Sequence, residues 1–183
     1  MGLPINKLII ASNSNDILSR VFNTGIYKPL KAKQTISPSM DIQVASNFER
    51  LIFDIHSKDS NTTLQLMKDL KKNGEFKIKK ENLDKIHQNF CATSLSDEET
   101  QLIINNIYKE EKILIDPHTA VGIGAANKIS LKESIVVLGT AHPAKFSNVV
   151  MKETGKFPEL PDKLKKILDR KEKYIELPKD LKK

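Results

Sequence analysis

The stretch Leu8-Ile9-Ile10-Ala11-Ser12-Asn13-Ser14-Asn15-Asp16-Ile17-Leu18-Ser19-Arg20-Val21-Phe22-Asn23-Thr24-Gly25 decides the fold class. The apolar run 8–11 predicts a short buried strand, and the polar cluster 12–16 turns the chain. Ile17, Leu18, Val21 and Phe22 then recur at helical spacing until Gly25 stops the helix. A buried strand feeding a helix is the unit of α/β folds, so a partial parallel sheet flanked by helices is expected.

Working outward, residues 26–40 contain Pro29 and Pro38 among small polar residues and read as an extended loop. Phe48, Leu51, Ile52 and Ile55 repeat with helical period. A second helix is expected over 61–72 with Leu64, Met67 and Leu70 inward, closed by Asn73-Gly74. A third passes through Leu83 and Ile86. The α/β pattern resumes at Phe90-Cys91-Ala92-Thr93. Ser96-Asp97-Glu98-Glu99 forms a capping box for a helix with Leu102, Ile103 and Ile107 inward. Asp116-Pro117 opens another helix, rich in Gly and Ala. Ile135-Val136-Val137-Leu138 reads as the clearest strand, followed by Gly139-Thr140-Ala141-His142-Pro143 and a helix through Phe146, Val149 and Val150. The tail from Pro158 is expected to hold a helix capped by Asp162, with Leu164, Ile167 and Leu168 inward. The chain therefore divides into a first α/β unit and loop (1–45), a helical insertion (46–90), a resumed α/β part (91–150) and a helical tail (151–183).

Composition narrows the function classes. The 183 residues carry a formal charge of +7, but only Arg20, Arg50 and Arg170 are arginine, and aromatics make up 5%. Readers of nucleic acid favour bidentate guanidinium groups and aromatic platforms, so no nucleic-acid partner is expected. The lysines alternate with acids, as on a solvated helix face. No segment is apolar for long enough to span a bilayer, and the lone Cys91 suits a reducing compartment; no membrane partner and a cytoplasmic location are expected. No His or Cys residues fall at metal-ligand spacing, so no metal is expected.

Two turns that follow strands are candidate sites, because ligands in open α/β sheets bind beyond the carboxyl ends of strands. At the first, Asn13 and Asn15 could hold a ring oxygen or a carboxylate, or else form Asx turns. At the second, Gly139 permits close approach, Thr140 offers a neutral hydroxyl and His142 could exchange protons. The other reading of this second segment is a tight turn in which Thr140 caps the next helix and His142 is solvated.

In order along the chain, Met1-Gly2-Leu3-Pro4-Ile5, Ile10 to Asp16, Thr35 to Ile42, Thr93 to Thr100, Asp116 to Gly122 and Gly139 to Phe146 resemble threonine synthase of the bacterial and fungal type. The resemblance implies the C-terminal part of a fold type II pyridoxal-phosphate (PLP) enzyme that converts O-phosphohomoserine and water to threonine and phosphate. It implies Thr140 at the pyridine nitrogen of the cofactor, with Gly139 also a cofactor-binding residue. Asn13 and Asn15 are weaker cofactor candidates, and His118, His142 and Lys145 are substrate candidates. The family's Schiff-base lysine and phosphate-cradling loop lie upstream of the counterpart of Met1-Gly2-Leu3-Pro4-Ile5. No lysine here matches that motif, so no catalytic residue is assigned. The chain alone is expected to be inactive, with a separate N-terminal chain as a candidate partner. The alternative is a non-catalytic α/β binding or interaction module on the same fold.

Overall fold

In the computed structural model, which describes residues 4–167 and 169–180, β1 (Leu8–Ser12) pairs in parallel with β4 (Phe90–Ser94). Leu8 lies opposite Phe90 and Ser12 opposite Ser94. A parallel pair needs a long crossover. Here the crossover carries α1 (Ile17–Thr24), β2 (Ile26–Tyr27), α2 (Phe48–Ile55), α3 (Ser60–Asn73), β3 (Phe76–Lys77) and α4 (Lys80–Asn89). β2 and β3 pair antiparallel inside the stretch expected to be loop and helix only. Gly25 closes α1 at φ 75°, its N–H donating to the Val21 carbonyl, and a Cβ there would sit 3.3 Å from the Ile78 carbonyl oxygen.

The crossover helices and α1 share one apolar core. Ile17, Val21, Phe22, Tyr27, Phe48, Ile52, Phe76, Ile78 and Ile86 are all buried in it. Tyr27 stacks between Phe48 and Phe76 at centroid distances of 5.4 and 4.9 Å, and its hydroxyl accepts from the Ala45 amide. Stacked rings add to the area they bury and fix the angle at which α2 and β3 approach.

Beyond β4, α5 (Asp97–Glu111) starts on the expected capping box: the Glu99 amide donates to Ser96 Oγ and the Ser96 amide to Glu99 Oε2. Lys128 Nζ also reaches Glu99 and the Ser94 carbonyl. These bonds hold the Glu99 carboxyl below the usual carboxylate range, the lysine contact most strongly. α6 (Pro117–Ile129) packs on the sheet through its small residues. A Cβ on Gly124 would fall 2.1 Å from Leu95 Cδ2, so glycine sets the separation of helix and strand. Ile104, Ile115 and Ala120 form a second buried cluster beneath α7 (Ser147–Thr154).

Several expectations need correction. Ile135–Leu138 takes up no regular structure and pairs with no strand among the described residues, and Val136 and Leu138 are 85% and 76% exposed. A strand needs a neighbour to take its backbone hydrogen bonds, and none stands beside it. Val137 faces inward, against Gly122 of α6. The inward side of α5 runs through Thr100 and Ile104, which places Leu102, about 200° around the helix from each, in solvent. Leu64 is likewise exposed, and Thr63 is the buried position of α3. In the tail, a single 3₁₀ turn at Asp162–Leu164 replaces the expected helix, and Leu164 and Ile167 are largely exposed. Asp162 is the first residue of that turn rather than its cap, and Leu168 lies outside the described residues.

Gly124→Val is expected to destabilise the chain by about 1–3 kcal/mol, because Leu95 is buried and cannot clear the new side chain. Denaturant unfolding of the two proteins checks this; equal midpoints would show that α6 does not depend on that close approach.

Candidate functional site

After β1 the chain turns at Asn13, which is completely buried. Its amide nitrogen lies within hydrogen-bond distance of Thr35 Oγ1, Ser37 Oγ, the Ser37 carbonyl and Asp41 Oδ1. Its carbonyl oxygen accepts from the Asn15 amide, the expected Asx turn. Asn15 donates to the Lys33 carbonyl and Asp41 Oδ1, and accepts from the Lys33 amide. Asp41 also receives the Thr35 amide and hydroxyl. Both asparagines are thus spent on holding the 33–43 loop, with no face left toward a ligand. This loop is the widest feature of the site that periodicity missed, because its order comes from polar side chains rather than from an apolar repeat.

The loop is fastened at further points. Both Asp97 carboxylate oxygens accept from the Ile36 amide, and burial pushes the Asp97 carboxyl up. The Ser39 amide donates to His118 Nε2 at 3.1 Å. A backbone N–H can only donate, so Nε2 is the acceptor and the ring proton of neutral His118 sits on Nδ1. Nδ1 faces Asp116 Oδ1 at 2.9 Å. Asp116, buried at the start of α6, caps that helix by accepting the His118 and Thr119 amides, and Thr119 Oγ1 donates to its other oxygen. His118 is itself buried, with both ring nitrogens engaged within the chain.

The Gly139–Phe146 turn lies over the same end of α6. The nearest atom to a Cβ built on Gly139 is Thr119 Oγ1 at 3.8 Å, an ordinary contact. Neither backbone angle nor packing within this chain therefore demands glycine there. Thr140 is exposed, and its hydroxyl makes no hydrogen bond among the described residues. The helix-capping role goes instead to His142, whose Nδ1 accepts from the Ala144 amide at the 3₁₀ turn Pro143–Phe146. Lys145 is exposed, its Nζ 5.6 Å from the Phe146 ring centroid, and Phe146 in turn sits 4.6 Å from the His118 ring. The two loops therefore meet at the N-terminus of α6. Among the expected site residues, Gly139, Thr140 and Lys145 present an open surface, whereas Asn13, Asn15 and His118 form the frame behind it.

Comparison with known proteins gives this surface a context. A sequence profile of the family described as threonine synthase, C-terminal, matches residues 119–183. Threonine synthase of Pseudomonas aeruginosa is 39% identical over 184 residues, covering 99% of this chain and 39% of that protein. The Saccharomyces cerevisiae enzyme is 36% identical over 204 residues, covering 96% and 40%. Among solved structures, PLP-bound threonine synthase from Brucella melitensis superimposes with a TM-score of 0.89 at 44% identity, covering 100% of this chain and 39% of that one. Yeast threonine synthase gives a TM-score of 0.84 at 35% identity, covering 93% and 39%. The chain spans about 40% of the length of each of these relatives.

Asn13→Ala removes the amide that binds the 33–43 loop and strands buried polar partners, at a cost of about 1–3 kcal/mol. Backbone hydrogen exchange at residues 33–43 is expected to speed up more than exchange in α5 or α6. Uniform acceleration across the chain would show that Asn13 supports the whole fold and not this loop.

Proposed function

We propose that this chain, which corresponds to the C-terminal region of threonine synthase, supplies one wall of a PLP site. The complete protein would convert O-phosphohomoserine and water to threonine and phosphate. Thr140 carries the reading: an exposed hydroxyl with no hydrogen-bond partner among the described residues, next to a glycine that neither backbone angle nor the described packing requires. Both are what a bound ring would use. When bound, PLP supplies an electron sink for carbanions formed beside it. Thr140 would hold its pyridine nitrogen with a neutral hydroxyl, which tempers that sink because no carboxylate keeps the nitrogen protonated. Gly139 would leave room for the ring face, and Lys145, an exposed cation of the turn, would be a candidate to meet the substrate phosphate. His142 would shape the turn through its cap on Ala144.

The lysine that bonds the cofactor and the loop that cradles its phosphate would come from a complementary region, on the same polypeptide or on a separate N-terminal chain. The bare Val136 and Leu138 support this, since exposed apolar patches mark awaited contacts. That same observation speaks against a self-sufficient binding module. On this reading the chain alone has no activity. A cytoplasmic setting is consistent with the free Cys91, and among the described residues no helix is long and apolar enough to cross a membrane.

Phosphate release from O-phosphohomoserine is expected only when this chain is combined with the complementary region and PLP; release by the chain alone, or none from the combination, would refute the reading. In the combined protein, Thr140→Val should lower kcat by about tenfold, the worth of one lost hydrogen bond, and Thr140→Ser should restore most of it. If valine and serine behave alike, the hydroxyl does not hold the ring.

A further inference from the structure

We infer that His118 is a positioning residue for this site, acting as the tautomer protonated on Nδ1 to align the Ser37–Asp41 turn with the Gly139–Phe146 turn. The inference rests on the functional reading above but goes beyond it, because it gives a role to a buried ring whose two nitrogens are both bonded within this chain. Three segments converge on it. The Ser39 amide donates to Nε2 from the loop ordered by Asn13. Asp116 takes the Nδ1 proton from the first turn of α6. Phe146 packs on the ring face at a centroid distance of 4.6 Å, tilted by 50°.

Each contact constrains the next. The Asp116 carboxylate also accepts the amides of His118 and Thr119, so it cannot rotate away without uncapping α6. With Asp116 fixed, the Nδ1 proton is fixed, and Nε2 is left as an acceptor. Only an acceptor can receive the Ser39 N–H, so the carboxylate behind the ring determines whether the loop in front of it is held. The His118 side chain is 5% exposed, and water does not readily replace the bond at Ser39. Losing it would leave a donor unpaired and free the 38–40 turn to move relative to Thr140. Displacements of about 1 Å around a reacting centre cost as much as about 100-fold in rate.

The test uses the assembled, PLP-loaded protein. His118→Asn keeps a donor at the Nδ1 distance but ends short of Ser39, whereas His118→Gln carries an acceptor out to the Nε2 distance. His118→Asn is expected to lower kcat by about 10- to 100-fold with the cofactor still bound, and His118→Gln to stay within about threefold of wild type. Equal losses in the two variants, or none in either, would overturn the proposal. Nitrogen-15 NMR of wild-type His118 in the same assembly reads the tautomer independently of folding in the variants. A protonated-type signal at Nδ1 and an unprotonated-type signal at Nε2 are expected, and the reverse pattern would overturn it. If the assembled wild type releases no phosphate, the functional reading fails, while the NMR pattern still decides the tautomer.

Discussion

The buried carboxylate of Asp116 is the constraint on which the site-bearing end of this chain depends. A buried charge is tolerated only where its lone pairs are met. Here they are met by backbone amides of α6, the His118 ring and the Thr119 hydroxyl. Those same groups face the two loops. His118 reaches the Ser39 amide on one side, and Thr119 stands nearest Gly139 on the other. A single side chain therefore sets the helix start, the histidine tautomer and the spacing of the loops. The 33–43 loop is held in a related way: both buried asparagines donate to the half-buried Asp41 carboxylate.

The two sides of the fold differ in how fully they bury their apolar side chains. The aromatic stack around Tyr27 and the buried faces of α1, α2 and α4 form a closed core. The segment 135–138, in contrast, has no strand partner among the described residues and leaves Val136 and Leu138 bare. Thr140 lies directly beyond that segment. Bare apolar side chains and a hydroxyl with no hydrogen bond among the described residues thus stand side by side, as the proposed composite site requires.

Much of this was legible in the sequence because it rests on local chemistry. The strand–turn–helix at 8–25, the capping box at Ser96 and the Asp116-Pro117 helix start each depend on residues within a few positions of one another. What failed depended on partners far away in the chain or outside it. Ile135–Leu138 has the composition of a strand, but no composition states whether a neighbouring strand is present. Leu64 and Leu102 fit an apolar period yet face solvent, because small polar residues, Thr63 and Thr100, take the buried positions. At the site, Asn13 and Asn15 offered the chemistry to hold a ligand; burial turned that chemistry onto Asp41 and the loop. His118 followed the same course, while Thr140 was left open.

The most direct measurement is a crystal structure of this chain assembled with its complementary region and PLP. The expected result places the pyridine nitrogen within about 3 Å of Thr140 Oγ1, at hydrogen-bonding distance. A ring nitrogen facing a carboxylate or open solvent, with Thr140 turned elsewhere, would contradict the central claim.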